Sequence, residues 1–155
     1  MAQPTDGDPA AWRRWFAMQA NNRGWELTVR EARTPAEDRE MLEAAHASAW
    51  LWTSIGTELN RMRATMLLAE AHALAGDPSQ AMEYAREMRG WFLGRETPDW
   101  EIAFTHAVTA HCAAKAGEKT LHRESYGAAR TAIASIADAE DREIVEKTFA
   151  HVPAP

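Results

Sequence analysis

Seven proline or glycine marks, at six breaks, divide this chain, and they constrain its fold more than any other feature. Asp8-Pro9, Thr34-Pro35 and Asp77-Pro78 each place a side-chain cap before a proline, and Thr97-Pro98 has the same form. A capping oxygen satisfies the free N–H groups of a helix's first turn, and proline is tolerated there because its own N–H would be unpaired anyway. Gly56, Gly76 and Gly117 stand where helices should stop. Between these marks the chain is rich in Ala, Glu, Leu, Met and Arg, the good helix formers. Val, Ile and Thr never alternate with polar residues over a strand's length. The pattern therefore predicts an all-α protein.

The expected helices follow from the marks. One starts after Asp8 and ends or bends at Asn21-Asn22. "NRGWELTVREA" (Asn22 to Ala32) reads as a short second helix. Thr34-Pro35-Ala36-Glu37 is a capping box opening a helix to Ile55, with Gly56 as a left-handed stop. Thr57 caps a helix to Ala75, Asp77 one to Phe92, and Thr97-Pro98 one that stops at Gly117. Lys119 to Ile136 is a further helix. Asp138 caps the last, which frays before Pro153. This gives seven or eight helices with short joints, and short joints force neighbours antiparallel. The 155 residues suit one domain, expected over 1–152, with 153–155 a loose tail.

Composition excludes several classes. Apolar residues at 46% and charged ones at 26% are ordinary for a globular protein. A net charge of −6 with no Lys/Arg run argues against nucleic acid as a partner. The start, "MAQPTDGDPA", lacks the basic and apolar regions of a signal peptide, and no apolar run is long enough to span a membrane. One cysteine, Cys112, cannot form an internal disulfide, so the cytoplasm is the expected home. In "THAVTAHCAAKAG" it reads as a small core residue rather than a nucleophile. Seven tryptophans, at 12, 15, 25, 50, 52, 91 and 100, are many for this length; large rings fill the gaps an alanine-rich core leaves.

"LLAEAHALAGDPSQAMEYA" (Leu67 to Ala85) resembles a tetratricopeptide (TPR) unit: small residues in one helix, a Gly-Asp turn, then Ala81 and Tyr84 in the next. "AVTAHCAAKAGEKTLHRESYGAA" (Ala107 to Ala129) is a weaker echo. Gly76 and Gly117 lie 41 residues apart, against roughly 34 in the standard unit. The expectation is thus antiparallel helical hairpins stacked as an irregular TPR-like right-handed superhelix. From Asn21 to Pro153 the chain also resembles a bacterial family of short TPR-like proteins. The stretches "NNRGWEL", "RTPAEDREMLEAAHASAW", "GTELNRMR", "LAGD" and "IADAEDRE" carry that likeness. It implies the fold and no particular activity.

The chemistry-bearing residues gather in "EAAHASAWLWTSIGTELNRMR" (Glu43 to Arg63). Helical spacing puts Glu43, His46 and Trp50 on one stripe and Asn60, Arg63, Leu67 and Glu70 on another. Counting outward from the Gly56-Thr57 corner sets Trp50 beside Arg63, and His46 near Leu67 and Glu70. Two readings follow. In one, Arg63 and Glu70 form a buried ion pair that also satisfies His46. In the other, Trp25, His46, Trp50, Trp52, Asn60, Arg63 and Glu70 line a ligand site, with Arg63 suited to an acidic group and Asn60 to an amide.

Glu43-x-x-His46 is half of a di-iron motif, and no second copy exists, so no metal or cofactor is expected. No phosphate loop, nucleophile elbow or His-Glu-x-x-His occurs. The sequence therefore predicts a non-catalytic scaffold holding a protein segment or small ligand near the second and third hairpins. A small enzyme or sensor using His46 and Arg63 on an anionic molecule is the rival. A homodimer is one way to cover the terminal repeats.

Overall fold

The computed structural model describes residues 2–5 and 7–155. Seven helices occur among them: α1 (Pro9–Thr28), α2 (Pro35–Ile55), α3 (Glu58–Ala75), α4 (Pro78–Leu93), α5 (Asp99–Ala116), α6 (Lys119–Ser135) and α7 (Ala139–Phe149). No strand is present among these residues, and none of these helices is long and apolar enough to cross a membrane.

Most boundaries are local capping chemistry. Asp8 accepts from the Ala10 amide, Asp77 from Gln80, and Asp138 from Glu140 and Asp141. Thr34 and Glu37 form the reciprocal box, and Thr57 with Asn60 forms a second one. Gly76 (φ 81°) and Gly117 (φ 72°) end α3 and α5 in the left-handed conformation. That conformation places Cβ against the next carbonyl in any other L-residue.

Two expectations fail here. α1 runs unbroken through Asn21-Asn22 and ends at Thr28, so the separate helix over 22–32 does not form. Asparagine is a poor helix former, but tertiary packing overrides it. Ala17, Gly24 and Leu27 are buried, and a Cβ on Gly24 would meet a Leu67 methyl of α3 at 2.7 Å. Gly56 is extended (φ −91°, ψ 165°), not left-handed. Glycine is needed there for room, since a Cβ would lie 2.7 Å from the Trp52 carbonyl and 2.9 Å from its ring. The tail is tied at its first residue: His122 Nε2 donates to the Pro153 carbonyl at 2.7 Å, beside buried Val152.

Successive helices pack as hairpins, α1 on α2, α3 on α4 and α5 on α6. Alternate helices of one row also touch: α1 meets α3, α3 meets α5, and α5 meets α7. No comparable contact joins α2 to α4 or α4 to α6 among the described residues. The odd-numbered row is therefore the closer-set one and forms the inner side. Alanines make this close approach feasible: Ala69, Ala73, Ala103 and Ala107 are buried in one cluster with Phe92 and Val108. Cys112 belongs to that cluster, its thiol donating to the Ala69 carbonyl at 3.4 Å. Burial, reinforced by the nearby Glu70 charge, pushes that thiol well above its ordinary pKa, so it packs as expected and stays inert.

The N-terminal rings Trp12, Trp15 and Phe16 contact one another edge to face or tilted, and Arg13 and Arg14 are exposed.

The two kinds of glycine should separate in urea denaturation. Gly76→Ala forces a side chain into the left-handed region and should lower stability by about 1 kcal/mol or more. Gly127→Ala lies inside α6 with open space around an added Cβ, and should raise it by about 0.5–1 kcal/mol.

Candidate functional site

A half-open groove of about 650 Å³ lies on the inner row. Its walls arise from helical periodicity. α1 contributes Met18, Asn21 and Trp25, spaced three or four apart, and Val29 follows at its C-cap. α3 contributes Asn60, Arg63 and Met66, and α5 Trp100, Glu101 and Phe104. α7 adds Ile144, Lys147 and Thr148, and Trp52 enters from the end of α2. The volume falls in the range of sites that enclose a small molecule or several residues of a peptide.

Aromatic rings dominate. Trp25 of α1 lies against Phe104 of α5, with ring centroids 4.8 Å apart and planes tilted by 33°. This contact bridges α1 to α5 across the face of α3. Trp52 is 8% exposed, so its ring belongs to the packed wall rather than to solvent.

The floor carries charge. Arg63 Nε donates to Glu101 Oε1 at 2.6 Å, and the guanidinium lies 5.4 Å from the Trp100 ring centroid. The Glu101 side chain is only 2% exposed, whereas that of Arg63 is 43% exposed. A buried carboxylate needs its partner, because removing the partner strands a charge in a poorly solvated place. The contact is single-pronged, however. The terminal nitrogens of Arg63 and the second oxygen of Glu101 make no hydrogen bond among the described residues. Asn60 is similarly half-engaged. Its amide oxygen accepts from the Thr57 N–H (3.0 Å) and hydroxyl (2.9 Å), which leaves its NH₂ unpartnered.

The other groove charges are already matched. Glu26 receives Arg30 at 2.7 Å and Arg23 at 2.8 Å, and these hydrogen bonds hold its carboxyl below the ordinary value. Lys147 pairs with Glu143 at 2.7 Å.

The structure gathers Trp25, Trp52, Asn60 and Arg63 in this groove and places His46, Trp50 and Glu70 elsewhere. Trp50 is 76% exposed, and Arg63 lies over Trp100 instead. Trp50 and Trp52 are about 200° apart around α2, so when one indole faces inward the other faces water.

Glu70 is sealed between α3 and α5. Its Oε1 lies 2.8 Å from His111 Nδ1, and both side chains are at most 1% exposed. The expected Arg63–Glu70 pair is therefore two separate pairs, Arg63–Glu101 and His111–Glu70. His46 faces His72 across α2 and α3, with Nε2 atoms 3.1 Å apart. His72 follows Arg63 by about two and a half turns of α3, which puts the two on opposite faces.

Residues that sequence reasoning missed are Trp100, Glu101 and Phe104. Their signal was present as a ring at 100, an acid at 101 and a ring at 104, the one-turn spacing of a single helix face. Nothing local says that this face meets α3.

Comparison of the chain with known protein families, with curated proteins and with solved structures returns no match.

The histidine pair sets a pH response. Only one proton can lie between the two facing nitrogens, and a second would set two N–H donors against each other at 3.1 Å. Burial first, and then the His46 charge, lower the His72 pKa, with Asp77 opposing them. His106 is lowered too, by burial and by Arg89. The unfolded chain takes up these protons near pH 6.5 and the folded chain only below that. Stability should be full above about pH 6.5, fall as pH drops through 6.5 toward the folded values, and then level off. Urea midpoints measured from pH 7.5 to 5 should show this loss, and His72→Gln should flatten the curve to the part left by His106.

Proposed function

We propose that this chain is a non-catalytic TPR-like scaffold whose inner row of helices holds a protein segment. The observation that supports this most is the groove's form: open on one side, walled by rings from α1, α2 and α5, and crossed by unpartnered polar groups at Asn60, Arg63 and Glu101. A groove that takes elements from successive hairpins suits an extended chain better than a compact molecule. The alternation of inner and outer helices supports the superhelical TPR-like arrangement, and the turns at Gly76 and Gly117 fit the repeat reading. A single buried cysteine suits a cytoplasmic setting.

The rival enzyme reading is not favoured. It needs His46 and Arg63 in one pocket, and α3 separates them. No histidine or cysteine is among the groove's described lining residues, and its acids and its lysine are held in ion pairs: Glu101 by Arg63, Glu26 by Arg30 and Arg23, and Lys147 by Glu143.

Selection of peptides from a random library on the immobilised protein tests this reading. Enriched peptides should share a large apolar side chain. Added to ¹⁵N-labelled protein, they should shift the indole signals of Trp25, Trp52 and Trp100 and leave that of exposed Trp50 in place. Trp100→Ala should weaken binding by about 2 kcal/mol, the scale of a buried aromatic anchor. Peptides that move Trp50 instead, or that bind Trp100→Ala undiminished, would refute the groove as the site.

A further inference from the structure

The polar groups on the groove floor specify what kind of segment enters. Every charge lining the groove has a counter-charge within the protein: Arg63 with Glu101, Glu26 with Arg30 and Arg23, and Lys147 with Glu143. An anion reaching Arg63 would meet the Glu101 carboxylate, and a cation reaching Glu101 would meet the guanidinium. Each would have to break or oppose a pair whose acidic member is 2% exposed, where screening by water is weak.

The same pair nevertheless offers hydrogen bonds. Arg63 presents unpartnered N–H donors, and Glu101 presents an unpartnered oxygen beside them. A group bearing a donor and an acceptor side by side satisfies both without net charge. A residue in an extended peptide does this, since its own N–H and C=O point to the same side of the strand. Its side chain then turns toward the rings. Asn60 stands one helical turn before Arg63 on α3, with its NH₂ available to a neighbouring carbonyl.

We infer that the groove selects an uncharged, extended peptide segment, with the Glu101 carboxylate receiving the N–H of one residue and the Arg63 guanidinium donating to its C=O. This rests on the groove being the binding site proposed above. It departs from the acidic ligand that Arg63 alone would suggest, because Glu101 had no visible link to Arg63 in the sequence.

Four small probes with the same ring decide it: N-acetylphenylalaninamide (neutral), N-acetylphenylalanine (anionic at pH 7), phenethylamine (cationic) and N-acetyl-N-methylphenylalaninamide (neutral, without the donor N–H). Each is titrated into ¹⁵N-labelled full-length protein, and the Trp25, Trp52 and Trp100 indole signals are followed. The neutral amide should bind about tenfold or more tighter than either charged probe, since like-charge contact is strongly unfavourable. It should also bind several-fold tighter than its N-methyl form. Glu101→Gln keeps the side chain's shape and removes its charge, so it should reverse the preference between the neutral and anionic probes.

Equal or tighter binding of a charged probe to the native protein, or an N-methyl form that binds as well, would overturn the inference and leave the groove reading standing. If no probe moves any of the three indoles, the groove reading itself fails. Should Glu101→Gln not fold, the series on the native protein still gives the answer.

Discussion

The seam between α3 and α5 is the constraint on which the rest of the structure depends. These helices are not neighbours in sequence, and they run parallel. Two pairs of ionisable side chains cross between them: Arg63 to Glu101 at one level, and Glu70 to His111 further along both helices. Alanines let the backbones approach, and this closeness is what buries Glu70 and Glu101. A slip of one helix against the other would strand buried carboxylates without partners, which is far more costly than losing a surface pair. The alanines therefore set the spacing, and the two links set the register.

The groove follows from that seam. With α3 and α5 fixed in parallel, Arg63 is brought over Trp100, and α1 closes against α3 through Gly24 and Leu67. Trp25 can then reach Phe104 on the far side of α3. The aromatic wall and the paired charges on the floor are thus two results of one packing arrangement. Glu70 lies two turns beyond Arg63 on the same stripe of α3, past the groove, where it engages His111 of α5, and His46 lies on α2, where it engages His72.

What was legible in the sequence was local chemistry. Thr34 with Glu37, Asp77 before Pro78, and glycines 76 and 117 act within a few residues, and each behaves as its type requires. Asn21-Asn22 misled because its helix-breaking tendency is weak beside the burial of Ala17 and Leu27 around it. Gly56 misled because two different needs, left-handed φ and lack of a Cβ, favour the same residue. The site was only half legible. Trp52, Asn60 and Arg63 were found because they lie near one corner, and Trp25 because it stands in a stretch that carries the family likeness. Trp100, Glu101 and Phe104 were missed because reading outward from a corner reaches only consecutive helices. A contact between alternate helices leaves no mark at short range.

A double-mutant cycle on folding stability, using Arg63→Gln, Glu101→Gln and both together, tests the central link most directly. A charge-assisted hydrogen bond to a buried carboxylate, discounted for the half-exposed guanidinium, predicts a coupling of about 1 kcal/mol or more. Effects that add within about 0.3 kcal/mol would show that the two side chains do not act as a pair, and the account of the seam and its groove would fall with them.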